Sequence, residues 1–195
     1  MARKLDTLAL GAALAMLGLW SGAASAETVQ KDQVALFAAA AKDGHTGVAR
    51  KTKPVDARPA VAGEVVVTVI KSEGIETKSK PAAEGDWVVR NRCPETGNEE
   101  YLVAAAKFPT RYGEAQSKPD AAGYRAFVPK GTDMGYFIVS PAEGEFSFTA
   151  PWGEAMVARP GDAIVQSPGD ATDTYRIAAA SFACTYEIVT PPAAP

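Results

Sequence analysis

Few residues in this chain could do nucleophilic, acid–base or metal chemistry. The 195 residues contain one histidine, His45, and two cysteines, Cys93 and Cys184. His45 sits in Asp43-Gly-His-Thr-Gly47, where the flanking glycines mark an exposed connection. A general base needs a partner that orients its ring, so His45 takes no catalytic role. Asp86 and Asp162 each follow a glycine and could form an acid pair, but catalytic carboxylates need a separation of about 5 to 10 Å at a cleft. Gly-Asp reads better as a tight turn, in which the carboxylate accepts hydrogen bonds from nearby backbone amides. Glu100-Tyr101 sets a carboxylate beside a phenol, the pair that a hydrolase or lyase would use. No complete catalytic constellation is present, no metal site is expected and no cofactor is implied. The sequence has no Cys/His cluster, no phosphate-binding glycine loop and no Gly-x-Ser-x-Gly elbow.

Lys and Arg number 20 against 23 Asp and Glu, a formal charge of −3 that is too near neutral for a general nucleic-acid binder. With 47% apolar and 22% charged residues, wholesale disorder is excluded. Residues 1–26 combine a basic start (Arg3, Lys4), an apolar run from Leu8 to Leu19 and a small-residue stretch ending at Ala24-Ser-Ala26. That is the pattern of a secretory signal peptide cleaved before Glu27. The run falls short of the roughly 20 residues of a membrane span, so no span is expected after cleavage. The mature chain is expected in the periplasm or outside the cell, with an envelope protein or a small ligand as its partner. Cys93 and Cys184 are then candidates for a disulfide that closes a loop of about 90 residues.

The elements that must position these residues come twice. Aligning Gly85-Asp86 with Gly161-Asp162 brings Gly63-Glu64-Val-Val-Val-Thr68 opposite Gly144-Glu145-Phe-Ser-Phe-Thr149. It also brings Tyr101-Leu-Val-Ala-Ala-Ala-Lys-Phe108 and Tyr112 opposite Tyr175-Arg-Ile-Ala-Ala-Ala-Ser-Phe182 and Tyr186. Length differences fall between the matched blocks, where turns belong. Alternation at Val65–Val69, with strands at Trp87–Arg90 and Ala163–Gln166, predicts hairpins. The alanine runs predict short helices at the ends of the repeats, pinned to the sheet by Phe108, Tyr112, Phe182 and Tyr186.

The motifs Glu84-Gly85-Asp86-Trp87-Val88-Val89, Glu100-Tyr101 and Phe108–Tyr112, with Pro160-Gly161-Asp162-Ala163-Ile164-Val165, Tyr175 and Phe182–Tyr186, resemble the PGDYG-type domain of uncharacterised bacterial and phage proteins. The resemblance implies a small β-rich domain and transfers no activity. In the second copy Thr174 stands where the acidic Glu100 precedes Tyr101.

The expected fold is therefore β-rich α+β: two tandem, similar hairpin-based units with short helices, packed side by side. The boundaries read as 1–26 signal peptide, 27–50 N-terminal helix and linker, 51–112 first unit, 113–122 linker, 123–189 second unit and 190–195 disordered tail. Val34–Ala41 is expected as a short helix on the first unit or a frayed N-terminal arm, and the cations of Lys51–Arg58 and Lys71–Lys80 as a solvated edge in preference to a site for an anionic partner. Function is expected at the boundary between the units, where Trp87, Tyr101, Trp152 and Tyr175 are the candidate binding residues; an exposed Trp152 would make a good anchor, although its burial between the units is the favoured reading. The leading expectation is a non-enzymatic binding or interaction module, the alternative a carboxylate/Tyr hydrolase or lyase.

Overall fold

Aromatic and β-branched residues at alternate positions drive most of this chain into strands. The computed structural model describes residues 28–193, so the expected leader lies outside the described residues. Among the described residues, fifteen strands and three short helices form a β-rich α+β architecture. In chain order these are β1 (Val29–Gln30), α1 (Gln33–Lys42), β2 (Gly47–Lys51), β3 (Val55–Pro59), β4 (Val67–Ile70), β5 (Gly74–Lys78), β6 (Trp87–Asn91), β7 (Glu100–Val103), α2 (Phe108–Arg111) and β8 (Tyr112–Ala115). There follow β9 (Arg125–Pro129), β10 (Asp133–Ile138), β11 (Phe146–Thr149), β12 (Ala155–Ala158), β13 (Ala163–Ser167), β14 (Asp170–Ile177), α3 (Ala179–Thr185) and β15 (Tyr186–Thr190).

Two five-stranded sheets dominate, one in the order β7-β6-β3-β9-β8 and the other in the order β14-β13-β10-β2-β15. Neither is built from one continuous stretch of chain. Strand β2, which precedes β3, crosses to pair with β10 and β15, while β9, which precedes β10, crosses back to pair with β3 and β8. The expected boundaries at 51 and 123 therefore do not coincide with the sheets. Hairpin β4-β5 and the three-stranded sheet β1-β11-β12 complete the fold.

The aligned letters of the sequence fall on matching backbone positions. Tyr101 stands across from Val89, and Tyr175 across from Val165. Gly85 and Gly161 both take positive φ, +86° and +95°, which a side chain would strain. Asp86 accepts from the backbone amides of Ala83 and Ala105, both at 2.9 Å. Asp162 does the same with Arg159 at 2.8 Å and Ala179 at 3.0 Å. Each carboxylate thus ties its turn to the start of the segment that follows the next hairpin, β6-β7 or β13-β14, a structural role rather than an acid pair.

The core of the first sheet gathers Val55, Ala57, Val89, Val103, Phe108 and Phe127, and one face of the second gathers Ala49, Met134, Tyr136, Val165 and Phe182. The other face of the second sheet packs Phe137, Val139 and Ile164 against Phe146, Phe148 and Met156. Helix α1 lies on this face, not on the first unit as expected. Asp32 caps it by accepting from Val34 and Ala35. The parallel pairing of β1 with β11 carries it to the C-terminal half, where Phe37 meets Phe137 at 5.9 Å between ring centroids. The expected helices also shift: α2 begins at Phe108, where the alanine run ends, whereas α3 spans its alanines. The tail differs too: Thr190 pairs with Val48, and the Ala193 amide donates to Gly44 O at 3.2 Å.

Candidate functional site

Between the two large sheets lies a cavity of about 690 Å³, lined from both of them, from strands β4 and β5 with the segment that follows, and from the β11-β12 turn. Strands β7 and β14 face it from the two sheets. That places Tyr101 and Tyr175 on opposite walls, and the strands that follow α2 and α3 add Tyr112 and Tyr186. Trp152, 40% exposed, leans on Tyr175 with ring centroids 5.5 Å apart.

Tyr101, Trp152 and Tyr175 of the expected binding residues therefore meet at one cavity. Trp87 does not: it stacks on Phe108 at 4.1 Å and edges onto Phe127 as part of the first sheet's core. Phe108 and Phe182 hold their segments to the sheets, as Tyr112 and Tyr186 do with their rings while also lining the cavity. Glu100 and Tyr101 do not converge. As strand neighbours they point to opposite faces, and Glu100 accepts from Tyr124 Oη at 2.6 Å beside Arg90.

The cavity's polar centre is Lys51, which the sequence placed on a solvated edge. Strand β2 carries it between the sheets, where Nζ donates to Asn91 Oδ1 at 2.7 Å and Tyr101 Oη at 2.9 Å. Tyr101 in turn shares a 2.9 Å hydrogen bond with Tyr112. Asn91 Nδ2 donates to Glu99 at 2.7 Å, and Glu99 also accepts from Ser181 at 2.5 Å and from Thr96. Across the cavity, Asp173 accepts from Ser167 at 2.6 Å and draws Lys107 and Arg111 to 3.4 Å and 3.3 Å.

Burial, countered in part by Glu99 and reinforced by Arg111, lowers the Lys51 amine to about 7 although the cavity leaves some of its surface open. Burial pushes Glu99 up, but the hydrogen bonds from Ser181, Thr96 and Asn91 outweigh it and hold the carboxyl below its usual range. Burial raises Tyr112 to about 12, and raises Tyr101 and Tyr186 well above the ordinary phenol. These three hydroxyls remain donors at neutral pH.

A consequence for stability follows from Lys51. Unfolded, it titrates near the ordinary lysine value of 10.5, and folded, at about 7. Between about pH 7 and pH 10 the unfolded chain holds a proton that the folded chain lacks, so Lys51 makes stability rise with pH through that window. Below pH 7 the amine is protonated in both states and the slope disappears. Above about pH 10 tyrosines ionise in the unfolded chain before those in the cavity do, and stability falls. Lys51→Met is expected to flatten the rise in urea-unfolding free energy between these limits; an unchanged slope contradicts a buried amine.

Sequence reasoning missed Lys51, Asn91, Glu99, Arg111 and Asp173. A signal for two of them was present: Glu99 and Asp173 each stand two residues ahead of a cavity tyrosine, extending the aligned block. Lys107 and Ser181 each precede the block's phenylalanine, and they reach across to Asp173 and Glu99 respectively. Among the described residues no helix is long and apolar enough to cross a membrane, and Cys93 and Cys184 are bonded, with Cα atoms 6.2 Å apart. Cys93, Glu95 and Cys184 cluster as well, but bonded sulfurs are not thiolate ligands. No known family, curated protein or solved structure matches the chain.

Proposed function

We propose that this protein is an exported, non-enzymatic binding module of the bacterial envelope, made by duplication of one β unit, and that it holds a small ligand in the cavity between the copies. Duplication is supported by the corresponding strand orders of the two sheets, by the matched Val–Tyr pairs and by the two Gly-Asp turns, whose carboxylates accept from amides at corresponding positions. Because each copy lends its first strand to the other's sheet, the units are exchanged rather than simply adjacent. Export is supported by the leader and by the disulfide.

The cavity carries the binding reading. Its volume falls in the range of small-molecule sites, and its walls combine flat aromatic surface with a few placed polar groups. Two cations, Lys107 and Arg111, share one carboxylate, Asp173, with Asp170 also near Lys107, so charged groups gather at that end. A ligand with a flat apolar body and an acidic group matches both features: the body lies against Trp152 and Tyr175 and the acid meets Arg111.

Anilinonaphthalene sulfonate is a suitable probe. Its fluorescence is expected to rise saturably with one molecule per chain, and Arg111→Met is expected to weaken binding about tenfold, the loss of one charge-assisted hydrogen bond. Non-saturating binding, or affinity indifferent to Arg111, contradicts the proposal.

A further inference from the structure

The residues that recur in both halves satisfy the fold, whereas those that differ at matching positions are free to serve something else. Lys51 is the clearest such difference. In the second sheet it stands across from Tyr186, and in the first sheet the residue across from Tyr112 is Pro129, which also lines the cavity. The same backbone site thus closes on one side with no charge, so the architecture does not require an amine there. Placing an amine in a partly desolvated cavity lowers stability, and such residues gather at working sites.

Its geometry suits a nucleophile. A neutral amine has two N–H bonds and one lone pair, and the two acceptors on Lys51, Asn91 Oδ1 and Tyr101 Oη, take both N–H bonds. The lone pair is left to the cavity. Resting on the small-ligand reading above, we propose that Lys51 captures aldehydes or ketones as a reversible imine, so that the ligand class of this cavity includes carbonyl compounds with a flat apolar body.

The step balances without an oxidant or reductant. Nζ donates its lone pair to the carbonyl carbon, forming the N–C bond, and the carbonyl oxygen takes up a proton to give a carbinolamine. The C–O bond then breaks, and the oxygen leaves as water carrying both hydrogens that the amine gives up as N=C forms. Tyr101, hydrogen-bonded to Lys51 and to Tyr112, is placed to pass protons between nitrogen and oxygen. The other groups facing the amine are Glu99 through Asn91, the Arg111 guanidinium and the Tyr186 ring, 6.0 Å away at its centroid. An amine near 7 is substantially unprotonated at neutral pH, whereas an amine at the ordinary lysine value of 10.5 is almost wholly protonated.

The test uses the full chain with its disulfide intact, incubated with benzaldehyde and cyanoborohydride near neutral pH, followed by peptide mass mapping. The imine at Lys51 is expected to form and be reduced by cyanoborohydride to the N-benzyl lysine at least about tenfold faster than at Lys71 or Lys78. Tyr101→Phe is expected to slow labelling at Lys51 and leave Lys71 unchanged, a pattern that a purely structural Tyr101 would not produce. Labelling that follows exposure, with Lys71 first and Lys51 last, overturns the proposal. If Lys51 stays unlabelled while anilinonaphthalene sulfonate still binds with its Arg111 dependence, the imine fails and the binding reading stands. If the sulfonate binding also fails, the binding reading falls with it.

Discussion

Asp162→Ala is expected to lower the unfolding free energy by about 3–5 kcal/mol, whereas Asp86→Ala at the matching turn is expected to lower it by about 0.5–2 kcal/mol. Both carboxylates accept two backbone amides, so the turn contribution is shared. Only Asp162 is also an ion-pair partner. Arg176, 4% exposed, sets its Nε 2.8 Å from Asp162 and its other nitrogens 2.6 Å from Glu73 and 2.5 Å from Glu76. Burial opposes the Arg176 charge, but these carboxylates outweigh it and raise its pKa. Burial also raises Glu76, with Arg176 pulling against it. Removing Asp162 breaks a buried pair and leaves two amides without their acceptor. Glu73 and Glu76 come from the β4-β5 turn and strand, so the cluster fastens that hairpin to the second sheet. Urea unfolding of the two variants decides it: equal losses contradict the special weight given to Asp162.

The second large effect concerns the Cys93–Cys184 bond. Its ends lie 91 positions apart in the chain, and its removal by the paired Ala substitutions is expected to destabilise the chain by about 4–5 kcal/mol in the loop-entropy account. The bond also acts locally. It joins the turn after β6, where Thr96 donates to Cys93 O at 3.0 Å, to helix α3, which supplies Ser181 to Glu99. The double variant is therefore expected to weaken sulfonate binding as well as stability, measured by urea unfolding and fluorescence titration. A loss below about 1 kcal/mol contradicts the entropy account.

What the sequence made legible was local. Gly-Asp turns are specified by the residues within them, so Gly85-Asp86 and Gly161-Asp162 identify themselves, and with them the strands they feed. The ungapped Tyr-to-Phe-to-Tyr spacing likewise put the four cavity tyrosines, Tyr101 with Tyr175 and Tyr112 with Tyr186, in register before any contact was known. The exchange of β2 and β9 was not legible, because the choice of pairing partner depends on contacts far away along the chain. Gly47-Val-Ala-Arg-Lys51 is short and ends in a charged run, so it showed no clear alternation, and its last residue looked like solvated surface. The hairpin shows the same limit. Val65, Val67 and Val69 share a face as expected from alternation, yet that face is exposed, while Val66, Thr68 and Ile70 turn inward. Period-two patterning sorts residues into faces, but when both faces are apolar it does not say which one the rest of the fold covers.

The exposed valine face supplies the competing site for any apolar probe, and location therefore decides between them. Titrating isotopically labelled protein with anilinonaphthalene sulfonate and following side-chain resonances by NMR tests the account most directly. Saturating shifts are expected at Lys51, Tyr101, Trp152, Tyr175 and Arg111, with Trp87 and the Val65, Val67 and Val69 methyls unmoved. Shifts confined to those methyls and Ile75, with Lys51 and the tyrosines silent, would contradict a binding site between the sheets.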